Sequence, residues 1–325
     1  MSTTKKTIPA LLLLLIGSAT YAQNNFRRTQ IKPVYSSMEN TTEIGINAGM
    51  TGFLGDLGGT RGKGEPFSKD LNGISMRPIL GLSYGYYPKS WLKVNATFNY
   101  TTISGADSVI KTKIHQSLGR FERNLSFRSR VEELSVNGEF YPLQLLSRTH
   151  RETLLKPFVG FGVGVFHFNP QAELTGQWIA LKPLHLEGEG FTEYPDSKNY
   201  SLYQFYIPFN LGFKYRLDDQ LSLSFTATFR KTFTDYLDDV SKTYIDPTLF
   251  SKYLSPNDAA LAKQLYYRGL SSTPPKPGSP RAYSNSNDSY TSLYITLNYN
   301  FGRIRSREES VSDRIIKVKR FRKRQ

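Results

Sequence analysis

The chain has 325 residues, of which 38% are hydrophobic and 14% aromatic, and 42 Lys/Arg against 27 Asp/Glu give a formal charge of +15. So polar a chain excludes a helical membrane protein, whereas 21 Tyr, 21 Phe and 25 Gly fit a transmembrane β-barrel whose strands alternate lipid-facing and lumen-facing residues. The lack of cysteine excludes a disulfide scaffold, a cysteine-ligated zinc or iron–sulfur site, a Cys nucleophile and a lipid-modified N-terminal Cys.

Residues 1–22 read as a secretory signal: Lys5 and Lys6 precede the apolar run Leu11–Ile16, and Ser18-Ala19-Thr20-Tyr21-Ala22 offers a cleavage site before Gln23. That run is far shorter than the roughly 20 residues a spanning helix needs. Residues 23–41 are expected to be a periplasmic lead-in, 42–301 the barrel and 302–325 a basic periplasmic tail.

Eight segments then alternate with period two. Ile44, Ile46, Ala48 and Met50 oppose Glu43, Gly45, Asn47 and Gly49; Leu80, Leu82, Tyr84 and Tyr86 oppose Gly81, Ser83 and Gly85. Leu92 to Tyr100 and Leu134 to Phe140 set their apolar residues against Lys93, Asn95, Thr97, Asn99 and Glu133, Ser135, Asn137, Glu139. Val159 to Val165 alternates with Gly160, Gly162 and Gly164, which read as small lumen residues making room for bulky neighbours, not as a nucleotide loop. Tyr203 to Phe213, Leu221 to Phe229 and Leu293 to Phe301 complete the set. Short turns (88–90, 142–156, 218–220) alternate with long polar excursions (54–75, 104–127, 169–199, 234–289). That predicts an outer-membrane barrel with periplasmic turns, extracellular loops and both termini in the periplasm. A soluble antiparallel sandwich, the competing architecture, predicts two buried faces and more uniform loops.

Parity points Glu43, Glu133, Glu139, Lys93, Lys214, Arg216 and Arg230 into a lumen only wide enough for side chains to fill. Opposite charges there are expected to pair and plug the barrel. Asp235, Asp238, Asp239 and Asp246 form an acidic cluster at the start of the fourth long loop. Calcium is one reading of it; ion pairs with nearby Arg230 and Lys231 are the preferred one. Ser255 to Arg268 has helical character, and the proline-rich stretch after it predicts a short surface helix with a flexible return. Of the four histidines, His115 and His185 fall in separate long loops, His150 in a turn and His167 at a strand end. His185 near Asp235 is the one arrangement that suggests a base, and no nucleophile motif accompanies it. No catalytic residue, cofactor or metal is assigned.

Tyr294-Ile295-Thr296-Leu297-Asn298-Tyr299-Asn300-Phe301 ends in a lipid-facing aromatic, resembling the terminal-strand signal of barrel assembly. Beyond it, residues 302–325 hold ten cations (Arg303, Arg305, Arg307, Arg314, Lys317, Lys319, Arg320, Arg322, Lys323, Arg324) against Glu308, Glu309 and Asp313. Such an arm suits an acidic partner or anionic headgroups; nucleic acid has no obvious place there.

Several stretches resemble the PorG-like outer-membrane β-barrels of the type IX secretion system. They are Glu43-Ile44-Gly45, Phe53-Leu54-Gly55-Asp56-Leu57-Gly58, Asn124-Leu125-Ser126-Phe127-Arg128-Ser129, the run Pro157 to Pro170, Thr192-Glu193-Tyr194-Pro195, and the run Arg230 to Ser241. The resemblance spans about residues 42–301, and the basic extension lies outside it. It implies a non-enzymatic membrane component that associates with a periplasmic ring of PorK and PorN type. The expected partners are therefore outer-membrane lipid and ring proteins, with no nucleic acid and no small-molecule ligand. A small porin or ligand-binding barrel is the alternative, and a lipid-modifying or proteolytic barrel a further one.

Overall fold

The computed structural model describes residues 36–55, 57, 75–109, 121–146, 154–218, 220–271, 273–282, 287–301 and 305–306. The expected signal segment, most of the first long loop, His115, His150 and every tail cation except Arg305 lie outside the described residues. The chain divides into residues 38–304 and a second unit of residues 1–37 with 305–325. The described part of the second unit is a two-residue antiparallel ladder, β1 (Ser36–Ser37) with β11 (Arg305–Ser306). Two residues a side are too few for alternation to register, so the sequence pattern does not predict it.

The larger unit is a closed barrel of eight antiparallel strands: β2 (Thr41–Leu54), β3 (Arg77–Lys89), β4 (Leu92–Ala106), β5 (Ser126–Phe140), β6 (Leu155–Leu174), β8 (Tyr203–Arg216), β9 (Leu221–Thr232) and β10 (Ser289–Phe301). Each pairs with its neighbours in the chain, and β10 returns to β2 with Leu297 opposite Ile46. Closure leaves no barrel edge unpaired, which is the condition a strand must meet to stand in hydrocarbon. A short strand β7 (Gln177–Ala180) folds back on the tip of β6.

Burial is inverted relative to a soluble protein. Ile46, Leu82 and Phe205 are 61%, 61% and 70% exposed, while Glu43 and Glu133, on the other face, are 1% exposed. Facing water, an apolar surface this continuous would far exceed the few hundred Å² that soluble monomers expose. Facing acyl chains it carries no penalty.

The strands run past the expected boundaries at the long-loop end. Loops expected from Ser104 and Asn169 begin instead after Ala106 and Leu174, because β4 and β6 continue with their parity intact. Above Glu133 the inward face changes from polar to apolar. Phe53, Ile103, Phe127, Val131, Phe166, Phe168, Tyr206 and Tyr290 pack there as one cluster. Phe166 sits edge-on to both Tyr206 and Tyr290.

The third and fourth long loops fold together over this end. The expected helix forms as α3 (Pro256–Tyr266), capped by Ser255, whose Oγ accepts from the Asp258 amide. It is preceded by α2 (Phe250–Tyr253), and a five-residue α1 (Pro142–Leu146) lies at the short-turn end. Ala259, Ala262, Leu265 and Tyr266 of α3 join Leu181, Leu184, Leu186, Phe191, Tyr244, Ile245 and Phe250 in a second hydrophobic core. The expectation of a flexible return is corrected here. Residues 273–282 bridge back through Thr243 opposite Pro280 and bury Arg281, which anchors the segment from inside.

Candidate functional site

The lumen is stacked in polar layers. Nearest the short turns, Lys93 Nζ lies 2.7 Å from Glu43 Oε1 and 3.3 Å from Glu139. Lys214 pairs with the other oxygen of Glu43 and donates to the Tyr87 hydroxyl at 2.7 Å. Tyr141 donates to Glu139 at 2.8 Å. Above this, amides and hydroxyls bond from strand to strand around the inner wall: Thr296 to Asn47 at 2.9 Å, Asn47 to Asn99 at 3.1 Å, Thr228 to Asn210 at 2.7 Å and Asn298 to Ser224 at 3.0 Å.

The third layer joins Arg230 to Glu133 through two parallel 2.7 Å bonds, with Tyr290 and Asn99 each donating to the same carboxylate at 2.7 Å. Arg230 also donates to Ser292 at 2.8 Å. The charges are thus mutually satisfied, the condition under which buried ions are tolerated. A cavity lined by Asn47, Lys93, Asn95, Glu139, Thr296 and Asn298 measures about 20 Å³, space for about one water molecule.

Small residues make this packing possible. A Cβ on Gly164 would stand 2.3 Å from the Tyr206 ring, and one on Gly162 would stand 2.2 Å from the Val136 carbonyl oxygen.

Of the residues singled out by parity, Glu43, Glu133, Glu139, Lys93, Lys214 and Arg230 are buried in the lumen. Arg216 is half-buried at the strand end, and its Nε donates to the Asp218 carbonyl at 2.9 Å.

The acidic cluster disperses. Asp246 caps a 3-10 turn by accepting from the Thr248 amide at 2.9 Å, and those local bonds lower its carboxyl below the ordinary range. Asp235 accepts from Ser241 Oγ at 2.9 Å and Asp238 from the Val240 amide at 3.0 Å. The Arg230 part of the preferred ion-pair reading needs correction. Arg230, despite its nearness in sequence, points down into the lumen to Glu133. The cation near Asp239 is Arg281, whose Nη1 donates to the Asp239 carbonyl at 2.6 Å and to Glu187 Oε1 at 3.0 Å. Among the described residues no group of three or more His, Cys, Asp or Glu could hold a metal ion.

His185 stands beside the Phe191 ring at 5.9 Å, and burial lowers its imidazole below the ordinary value. His167 lies against Tyr203 at 4.8 Å.

Sequence reasoning missed the cap's own electrostatics. Asp107 takes a two-point bond from Arg123 (2.8 and 3.0 Å). Glu187 accepts from the Ser241 and Lys242 amides at 3.1 and 2.8 Å as well as from Arg281. Neither pair carries a periodic signal, since each partner lies in a long loop.

Comparison with known proteins gives one family match. Residues 30–246 match the model described as Domain of unknown function (DUF6089). No curated protein matches. Among solved structures, the N-terminal β-barrel domain of OprF from Pseudomonas aeruginosa is 8% identical, with 81% of this chain and 98% of that one covered at a TM-score of 0.33. Ail of Yersinia pestis is 8% identical, covering 81% and 99% at 0.36. Outer Membrane Protein W of E. coli is 14% identical, covering 81% and 99% at 0.31. Two thirds of the sequence falls within the matched region, and the chain belongs to the DUF6089 family.

Proposed function

We propose that this protein is a non-enzymatic barrel of the outer membrane that serves as a structural docking component of type IX protein secretion. The observation that carries the membrane placement is the ring of exposed Ile, Leu, Val and Phe around a lumen of paired charges. The long loops face outward, the short turns and both termini face the periplasm, and residues 302–325 reach for a ring of PorK and PorN type. The PorG-like stretches support the pathway, and the tail's ten cations support an acidic or anionic partner. The small-porin alternative fits poorly with a lumen cavity of about 20 Å³. The barrel-enzyme alternative has His185 against Phe191 in place of a nucleophile.

The test is affinity purification of the full chain, and of a chain lacking 302–325, from detergent-solubilised outer membranes. The reading predicts that ring proteins co-elute with the full chain, that salt weakens their recovery, and that truncation reduces it, since exposed charge pairs are screened. Equal recovery with and without the tail would remove the docking role.

A further inference from the structure

The third and fourth long loops meet at a buried site with more negative charge than its one cation can balance. Glu187, Glu189, Asp239 and Arg281 are all 2% exposed or less. Arg281 and two backbone amides satisfy Glu187. The other two carboxylates are served on one oxygen each. Asp239 Oδ1 accepts from the Tyr200 hydroxyl at 2.7 Å and Glu189 Oε2 from the Glu187 amide at 3.2 Å. Asp239 Oδ2 and Glu189 Oε1 are buried with no partner.

Among the described residues, no second cation is bonded to either carboxylate. Lys182 lies over the Tyr200 ring at 5.8 Å, and the side chain of Lys242 belongs to an exposed residue. Arg123 is held by Asp107 and by the Arg281 carbonyl at 2.5 Å. Tyr236 stacks on Tyr200 at 4.5 Å, Tyr244 packs on Tyr266 at 5.3 Å, and His185 lies beside Phe191. The acids Asp235 and Asp238 have partners of their own, Asp235 accepting from Ser241 Oγ at 2.9 Å and Asp238 from the Val240 amide at 3.0 Å.

Three ionised carboxylates against one guanidinium would leave a net buried charge of about −2, which a dry interior does not tolerate without a compensating charge or proton. We propose that Glu189 and Asp239 form a proton-binding site, and that proton uptake there holds the two loops closed over the barrel. The clasp being held is Glu187, which rides on one loop and accepts from Ser241 and Lys242 of the other.

The sign follows from linkage. Burial first, then the charges of Asp239 and Glu187, push Glu189 up to about 8. Burial pushes Asp239 up to about 7 against the pull of Arg281. In an opened cap both return toward the ordinary range near 4. The closed form therefore binds more protons than the open one. The closing free energy is fully present below about pH 4 and is lost as pH rises through 7 to 8, and the opening equilibrium shifts by up to about tenfold per pH unit for each proton.

Hydrogen exchange on the intact protein in lipid nanodiscs tests this. Amides of residues 186–200 and 236–246 would be followed from pH 5.5 to 8.5, after correction for intrinsic chemical exchange. Their protection should fall at least tenfold across that range while the barrel strands stay protected. Glu189→Gln with Asp239→Asn should keep the cap protected at pH 8.5. Tyr200→Phe, which removes the hydroxyl that donates to the Asp239 carboxylate, should move the transition to higher pH, and this milder variant decides the matter if the double variant does not fold. Wild-type protection independent of pH, or an unmoved transition in Tyr200→Phe, would overturn the proposal. Recovery of high-pH protection by added calcium would also overturn it, by assigning the site to a cation.

Discussion

Arg230 on β9 and Glu133 on β5 are 97 residues apart in sequence, yet they meet across the lumen through two 2.7 Å bonds. Neither is replaceable alone. Glu133→Ala strands a buried guanidinium and should cost about 3–5 kcal/mol. Replacing both at once, as Glu133→Leu with Arg230→Met, should cost much less than the sum of the single changes. Urea unfolding from lipid vesicles, followed by tryptophan fluorescence for the two single and one double variants, checks the coupling.

Gly164 faces the Tyr206 ring at a point where a Cβ would come within 2.3 Å. Gly164→Val should therefore force the ring out of the aromatic layer and destabilise the barrel by about 1–3 kcal/mol. Pairing it with Tyr206→Ala should restore part of the loss. Recovery of the folded, faster-migrating band on unheated gels reads both variants.

Leu82 is 61% exposed on the outer face, directly beside inward Gly81 and Ser83. Leu82→Lys should cost about 2–4 kcal/mol if the position lies near the bilayer midplane, and less toward either interface. By contrast Lys231→Arg, a charge-conserving change near the loop end of β9, should alter stability little. Equilibrium folding into vesicles measures the difference.

The lumen layers predict an electrically silent barrel. Single-channel recording should find no stable large conductance in the wild type. Replacing Arg230 and Glu133 together by Ala should still not open a wide pore, because Phe166, Phe168 and Tyr206 close the path above them. A stable conductance in the wild type would contradict the packing described here.

Which side chains turn inward was legible in the sequence because a strand has no freedom about it: period two fixes the face of Glu43 once Ile44 and Ile46 are placed on the other. Who pairs with whom was less so. Arg230 lies close to Asp235, Asp238 and Asp239 in sequence, but strand parity turns it into the barrel, and register brings Glu133 to it from β5. The cap was the least legible part. Residues 175–202 and 233–288 have no repeating period beyond α3, so the burial of Arg281, Glu187 and Glu189 follows from tertiary packing that no local pattern encodes. Lengthened strands such as β6 hid for a related reason. Asn169 and Pro170 look like loop residues, and cross-strand pairing with Arg130 and Ser129, together with the Leu181 amide bonded to the Pro170 carbonyl, keeps them extended.

The central claim is a closed cylinder, apolar outside and filled inside, standing in a bilayer. The native chain has no cysteine, so single cysteines at Ile46, Asn47, Ala48, Leu82 and Ser83 can each carry a nitroxide in reconstituted membranes. The account predicts strong relaxation by oxygen dissolved in the lipid at Ile46, Ala48 and Leu82, and little from either oxygen or a water-soluble nickel complex at Asn47 and Ser83. Access of the water-soluble complex to Ile46 and Leu82, at a level matching exposed loop sites, would contradict it.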